Sequence, residues 1–197
     1  MASVIFSNIY LNDYFTIVGP LEKNSRLKKY DMAIDDNYFK EKTFEQAEIK
    51  MQKVVLNELL LKNNLIEGNV DMVLGGDLLD QICATGYAMQ NFNIPFLGLY
   101  SACATFAENL IVGANFLCNS NFKNIVTITS SHNLTVERQF RYPVEYGAPK
   151  PHTATFTATG AVSTLLTKNE GKIKIDSGTI GTVVNLGIDD ANNLGAV

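Results

Sequence analysis

The stretch Leu97-Gly-Leu-Tyr-Ser-Ala-Cys-Ala-Thr-Phe106 decides the fold of this chain. An apolar run ends near Tyr100, Cys103 falls in a turn, and a helix rich in Ala, Leu and Phe is predicted over residues 104–119. A thiol at a helix N-terminus lies near the positive end of the helix dipole, which stabilises the thiolate. The stretch therefore predicts a strand–turn–helix unit in which Cys103 is a nucleophile or a ligand-facing thiol. A small core residue is the alternative.

Helices and strands are predicted to alternate on both sides of this unit. Thr43-Phe-Glu-Gln46 is a capping box that opens a helix running to about Asn64. Gly75-Gly76-Asp77 is predicted to be a tight turn that caps the next helix. The other predicted elements are a helix at 78–91 and strands at 70–77, 96–100, 124–131, 153–167 and 172–187. This alternation predicts an α/β fold with a mostly parallel sheet that is covered on both faces.

Composition limits the class of protein. The chain has 197 residues, of which 46% are hydrophobic and 18% charged, so we expect one globular domain. Its net charge of −4 argues against nucleic acid as a main partner. We predict no transmembrane segment and no signal peptide, because no apolar run approaches the length of a membrane span and the first residues lack a basic region.

Three cysteines, Cys83, Cys103 and Cys118, form an odd set without a C-x-x-C pair. This set argues against a disulfide framework and against a zinc site, and it suits a reducing compartment. We therefore predict no metal ligands, and we expect a functional role of Cys103 alone.

Residues 132–152 interrupt the alternation and contain both histidines and three prolines. We predict a long ordered excursion there, and long loops of this kind are often functional. His132 directly follows a predicted strand, and ligands of α/β sheets bind beyond the carboxyl ends of strands. A pairing of His132 with Cys103 is therefore one possibility, and a surface histidine at a strand end is the other.

Arginine and aromatic residues are close together in the same excursion. Arg138, Arg141 and Tyr142 suit a planar carboxylate ligand, because a guanidinium binds a carboxylate through two hydrogen bonds and a ring stacks on the ligand. The alternative is that the two arginines pair with Glu137 and Glu145 and hold the loop in place.

Several stretches resemble known families. The segment around Cys103 is similar to the nucleophile region of thiolases and β-ketoacyl synthases. Thr129-Ser-Ser-His-Asn133, Glu137-Arg-Gln-Phe-Arg-Tyr-Pro143 and Glu145-Tyr-Gly147 resemble the stage V sporulation protein AD family, and this resemblance covers essentially the whole chain. It implies a thiolase-like αβαβα layered fold built from two similar halves. We expect residues 1–197 to be the N-terminal half of such a fold, truncated before the C-terminal half.

The same resemblance implies a function. Members of the family are expected to be accessory proteins of spore dipicolinic acid transport, which covers uptake into the forespore and release at germination. The implied protein binds dipicolinate, alone or complexed with calcium, without catalysis and without a cofactor. It is implied to be a homodimer that attaches peripherally to the cytoplasmic side of the forespore or spore inner membrane, with small membrane proteins of the same operon as partners.

Cys103, His132, Arg138, Arg141 and Tyr142 are the predicted ligand contacts. A different function is an acyltransferase that resembles β-ketoacyl-ACP synthases and uses Cys103. That chemistry needs a histidine base and oxyanion donors, which those enzymes take from a C-terminal half that is not in this chain. A third hypothesis is a scaffold that only docks membrane partners.

Overall fold

Most of the chain is described by a computed structural model, which covers residues 1–26, 28–79, 82–136 and 157–187 with side chains, and 137–140 as helical backbone. Its strands are β1 (Ala2–Ile5), β2 (Tyr10–Val18), β3 (Met32–Ala33), β4 (Met72–Asp77), β5 (Phe96–Gly98), β6 (Asn124–Ser131), β7 (Gly160–Thr167), β8 (Ile173–Lys174) and β9 (Ser177–Ile180). The main sheet has the order β3-β2-β7-β6-β4-β5, with β8 beside β2, and β1 pairs with β9 separately.

The main sheet is mixed, so the prediction of a mostly parallel sheet is wrong. β4 runs parallel to β5 and to β6, whereas β7 runs antiparallel to both β6 and β2. The reason is the connection between β6 and β7. It leaves the sheet at Ser131 and returns at Gly160, which are paired across the two strands, so both of its ends lie at one edge of the sheet.

Helices lie on both faces of this sheet, as predicted. They are α1 (Pro20–Lys23), α2 (Phe44–Lys62), α3 (Cys83–Met89), α4 (Thr105–Asn119) and α5 (Asn133–Phe140). Alternate residues of β4 face opposite sides of the sheet. Val73 packs in the hydrophobic core between the sheet and α2, and Leu74 packs in the hydrophobic core between the sheet and α4. The α/β class and the helix–sheet–helix layering are therefore confirmed.

The start of α2 shows how its sequence fixes a helix end. Thr43 Oγ1 accepts a hydrogen bond from the backbone N–H of Gln46 at 3.2 Å. The Gln46 side chain accepts from the backbone N–H of Lys42 at 3.2 Å, one residue before the expected partner. Both donors at this helix end are satisfied, which is the physical purpose of a capping box.

Two sequence predictions of segments need correction. The sequence predicts a long ordered loop at residues 132–152, but α5 occupies Asn133–Phe140 within it. Buried Thr135 and Val136 anchor this helix, and the first proline that would stop it is Pro143. The long strand expected at 172–187 is wrong as well, because the short strands β8 and β9 stand there instead.

Candidate ligand-binding site

A cavity of about 560 Å³ opens at one edge of the main sheet. This edge carries the carboxyl ends of β4 and β6, the start of β7 and the end of β2, so it is the edge where α/β sheets bind ligands. The turn before α4 closes another side with Ala102, Cys103 and Phe106. Much of the lining is hydroxyl-bearing and includes Thr105, Thr129, Ser130, Ser131 and Thr159.

Cys103 lies where the sequence predicted it, in a turn directly before a helix. Residues Ala102–Ala104 form a short 3-10 helix that leads into α4, and Ala102 has a left-handed φ of 47°. Thr105 fixes this turn, because its hydroxyl donates to the Ala102 carbonyl at 2.8 Å and accepts from the Ser101 N–H at 3.0 Å. The Cys103 side chain is exposed and lines the cavity, so the alternative of a core residue is wrong.

Gly75 and Gly76 belong to β4 and do not form the predicted turn. A Cβ atom on Gly76 would collide with the carbonyl oxygen of Leu99, which follows β5. The Leu99 N–H donates to the Gly75 carbonyl at 2.8 Å, so the two chain segments are held close together. Glycine is therefore needed for a close approach of two backbones beneath the cavity.

His132 is fully buried, so the expectation of a surface histidine is wrong. Its Nδ1 accepts from the backbone N–H of Leu134 at 3.3 Å, and its Nε2 lies 2.8 Å from the Asn37 carbonyl oxygen. A carbonyl only accepts, so Nε2 carries the hydrogen and the ring is neutral. The ring stacks on Phe44 with centroids 5.2 Å apart and does not line the cavity, so the proposed pairing with Cys103 is not formed.

Three predicted contacts fall at or beyond the limits of the described structure. Arg138 is on α5, but its side chain is outside the described part of the chain. Arg141 and Tyr142 lie outside the described residues. Their roles as ligand contacts stay predictions.

A buried polar network behind the cavity was not predicted from the sequence. Ser130 Oγ donates to Glu48 Oε1 at 2.7 Å and accepts from Gln52 Nε2 at 2.6 Å. Gln52 Nε2 also donates to Thr85 Oγ1 at 2.8 Å, and that hydroxyl donates to Asp77 Oδ2 at 2.7 Å. One feature of the sequence could have indicated this network. Glu48 and Gln52 lie one turn apart on the face of α2 that carries core residues, where polar side chains must be buried.

The two acids of this network are held towards their neutral forms. Burial, with a smaller contribution from the nearby Asp77 charge, raises the pKa of Glu48 to about 8, against the hydrogen bonds from Ser130 and Thr135, which lower it. Burial also raises the pKa of Asp77, although Thr85 and Leu79 donate hydrogen bonds to it. Glu48 therefore carries a proton at neutral pH.

Two carboxyl groups, those of Glu22 and Asp77, line the cavity. Glu22 Oε1 accepts from the backbone N–H of Thr159 at 3.0 Å, whereas its Oε2 is buried and has no hydrogen-bond partner among the described residues. Within that part of the chain, no lysine or arginine lines the cavity and no three His, Cys, Asp or Glu side chains are grouped to hold a metal ion.

Sequence comparison identifies a family. Residues 2–197 match the family described as Stage V sporulation protein AD (SpoVAD). The stage V sporulation protein AD of Bacillus subtilis (strain 168) is 39% identical over 189 residues, which are 95% of this chain. This chain spans 56% of the length of that relative.

Solved structures with a similar fold include OleA and a 3-oxoacyl-(acyl carrier protein) synthase III. A variant of OleA from Xanthomonas campestris superposes with a TM-score of 0.56 at 13% identity, over 83% of this chain and 59% of that chain. The 3-oxoacyl-(acyl carrier protein) synthase III, FabH, from Xanthomonas oryzae pv. oryzae gives 0.56 at 10% identity, over 83% and 57%. At these identities the likeness shows the fold alone, and it confirms the thiolase-like architecture.

Proposed function

The chain belongs to the stage V sporulation protein AD family, and we propose on that premise that it binds dipicolinic acid in the cavity beside Cys103 without catalysing a reaction. Binding serves the transport of dipicolinic acid into the forespore and its release at germination. The membership supports a role in sporulation, and the ligand and the transport step are our proposal.

The surroundings of Cys103 support binding over catalysis. Its thiol lines the cavity, but the nearest candidate base in the sequence, His132, is buried against Phe44 with both ring nitrogens bonded to backbone groups. A nucleophilic cysteine needs a base within hydrogen-bond reach. Among the described residues no histidine is paired with the Cys103 thiol, and an exposed thiol in this position can contact a bound molecule.

The cavity matches the chemistry of dipicolinate, a flat pyridine ring with two carboxylates. Phe106 and Ala102 present apolar surface to a ring, and Thr129 is a lining residue whose hydroxyl can donate a hydrogen bond to a carboxylate. Its volume of about 560 Å³ is within the ordinary range of small-molecule sites. We propose that Arg138, Arg141 and Tyr142 supply the basic and aromatic contacts.

The carboxyl group of Glu22 favours the calcium complex of dipicolinate over the free dianion. Ca²⁺ prefers carboxylate, carbonyl and hydroxyl oxygens, and Glu22 lines the cavity with an Oε2 that has no hydrogen-bond partner among the described residues. A free dianion meets only negative or neutral groups among the lining residues described, so bound calcium would reduce the repulsion.

We further propose a homodimer that attaches peripherally to the cytoplasmic side of the forespore or spore inner membrane, with the small membrane proteins of its operon as partners. The strand β5 supports self-association, because it is the outermost strand of the described sheet and its Phe96 and Leu97 side chains are 37% and 38% exposed. None of the helices described here is long and apolar enough to cross a membrane.

Calorimetric titration of the purified chain with dipicolinate, with and without calcium, tests the proposed function. Isophthalate is the matched control ligand, because it keeps the two carboxylates and lacks the ring nitrogen. We expect saturable binding of dipicolinate, tighter with calcium, and much weaker binding of isophthalate. Absence of binding by a folded chain would refute a site formed by these residues.

An acyltransferase that uses Cys103 is the second candidate function. The exposed thiol at the start of α4 and the likeness to synthase III folds favour it. Incubation with acetyl-CoA followed by mass spectrometry distinguishes the two, because an acyltransferase of this type forms a thioester on Cys103. We expect no adduct. A scaffold that only docks membrane partners would show neither the adduct nor dipicolinate binding.

A further inference from the structure

Glu48 is a fully buried acid without a positive partner in the described structure. It lies in the second turn of α2 with no exposed surface. Ser130 Oγ is 2.7 Å from its Oε1, and Thr135 Oγ1 is 3.3 Å from its Oε2. Burial of a charged carboxylate requires firm hydrogen bonds or a cation. These two contacts therefore determine whether Glu48 is buried in its ionised or its protonated form.

The count of hydroxyl hydrogens favours the neutral acid. Thr135 has one hydroxyl hydrogen, and the His132 carbonyl oxygen, which can only accept, is the nearer acceptor at 2.8 Å. Among the described residues, an ionised Glu48 would therefore have one firm donor, Ser130, for two buried oxygens. In a neutral Glu48 one carboxyl oxygen carries a hydrogen, so only the other oxygen needs a donor, and the acid can itself donate a hydrogen bond.

Ser130 connects this acid to the cavity. Ser130 is one of the residues that line the cavity, and its hydroxyl accepts a hydrogen bond from Gln52 Nε2 at 2.6 Å. While Glu48 is ionised, the single hydrogen of Ser130 is held by Glu48 Oε1. When Glu48 is neutral and donates to Ser130 Oγ, the Ser130 hydrogen is released and can be donated to a group in the cavity.

We propose that Ser130 donates a hydrogen bond to a carboxylate of the bound ligand, and that Glu48 is the positioning residue that releases this hydrogen, so that ligand binding is coupled to protonation of Glu48. The proposal rests on the proposed function, because it describes the regulation of the same site. It follows from the placement of Ser130 between a buried acid and the cavity.

The charges around Glu48 give the coupling its sign. Asp77 faces it from β4, Glu45 from its own helix and Cys83 from α3, and the nearby ring of His132 is neutral. At the far end of α2, Lys62 is paired with Asp13 and does not compensate this charge. Ionisation of Glu48 therefore adds negative charge behind the cavity wall and withdraws a donor, and both effects weaken the binding of an anion.

The test is calorimetric titration of the whole chain with dipicolinate, with a chelator present to remove calcium, at about pH 6.5 and about pH 9. Because burial raises the pKa of Glu48 to about 8, we expect binding to be up to about tenfold weaker at the higher pH. Glu48→Gln keeps a neutral hydrogen-bonding group and should remove the pH dependence. Glu58→Gln, on the exposed face of the same helix, is the matched control and should behave as the wild type.

A measurement on the wild type alone covers the case in which a variant does not fold. Titrations near pH 8 in buffers with different heats of ionisation report the protons taken up on binding, and we expect uptake of a fraction of one proton. Binding without proton uptake, or an equal pH dependence in Glu48→Gln, would overturn the coupling and leave the proposed function standing. Absence of binding at both pH values would overturn the coupling, and the titration with calcium present then decides the proposed function separately.

Discussion

The Nε2 hydrogen of His132 is donated to the carbonyl oxygen of Asn37 across 2.8 Å, and this bond joins residues 95 positions apart. The ring also stacks on Phe44 at the start of α2, and Phe44 in turn stacks on Tyr38 with centroids 4.6 Å apart. His132 therefore holds the loop before α2 against the chain between β6 and α5. This structural role accounts for its burial and removes it from the chemistry of Cys103.

Replacing His132 with Ala should destabilise the protein by about 2–4 kcal/mol, because the change removes a buried hydrogen bond and a stacked ring. The free energy of unfolding in urea measures this loss. Asn119→Ala is the matched control, since it also removes a hydrogen bond to a backbone carbonyl, but on an exposed part of α4, and should cost less than about 0.5 kcal/mol. Equal stability of the His132 variant and the wild type would contradict this role.

Glu48 should make the wild type less stable as pH rises. Its pKa is raised by burial to about 8 from a reference of 4.5, so between these values the folded chain holds a proton that the unfolded chain has released. The stabilising contribution is complete below about pH 4.5 and is lost as pH rises to about 8. It is on the order of a few kcal/mol.

Urea unfolding of the wild type and Glu48→Gln from about pH 5 to about pH 8 checks this sign. The difference in unfolding free energy between the two proteins should shift in favour of the variant as pH rises, because glutamine does not titrate. Glu58→Gln should show no such shift. A constant difference between Glu48→Gln and the wild type across this range would show that Glu48 has an ordinary pKa.

Two glycines provide a matched pair of substitutions. Gly76→Ala should be strongly destabilising, by about 2 kcal/mol or more, because the new Cβ would overlap the Leu99 carbonyl oxygen. Gly86→Ala, within α3, meets no atom within 4 Å and should stabilise the protein by about 0.5–1 kcal/mol through helix propensity. Melting temperatures report both changes. Similar effects of the two substitutions would contradict the close backbone approach at Gly76.

Cys103→Ala should change the dissociation constant for dipicolinate by less than about threefold, because a thiol is a weak hydrogen-bonding group. Cys118→Ala removes an exposed thiol within α4, the helix that follows Cys103, and is the control that should have no effect. Calorimetry measures both. Complete loss of binding in the Cys103 variant alone would show that the thiol is an essential contact.

Local patterns in the sequence predicted the elements that carry the site. β6 has the predicted limits, and α4 begins one residue after the predicted start. These elements have strong signals: β-branched residues in the strand, and an apolar helix after a turn. Cys103 lies between β5 and α4, so its position could be predicted from the boundary between that strand and that helix.

The features that the sequence did not predict depend on contacts between residues that are distant in the chain. β2 lies between β3 and β7 in the sheet, yet its buried positions include Asp13, whose polar side chain interrupts the apolar alternation. The partners of Asp13 are Lys62 and Lys172, which are distant in sequence. His132 was misjudged for the same reason, because its partner Asn37 lies on a different segment. Tertiary contacts of this kind are not encoded in local periodicity.

Protection of Cys103 from alkylation tests most directly whether the cavity is the dipicolinate site. Iodoacetamide modifies exposed thiols, and peptide mass spectrometry gives the rates for Cys103 and Cys118 in the same sample. At a dipicolinate concentration of about ten times the dissociation constant, the account predicts that Cys103 reacts about tenfold more slowly while Cys118 is unaffected. Saturable calorimetric binding with an unchanged rate at Cys103 would contradict it, because the ligand would then lie elsewhere.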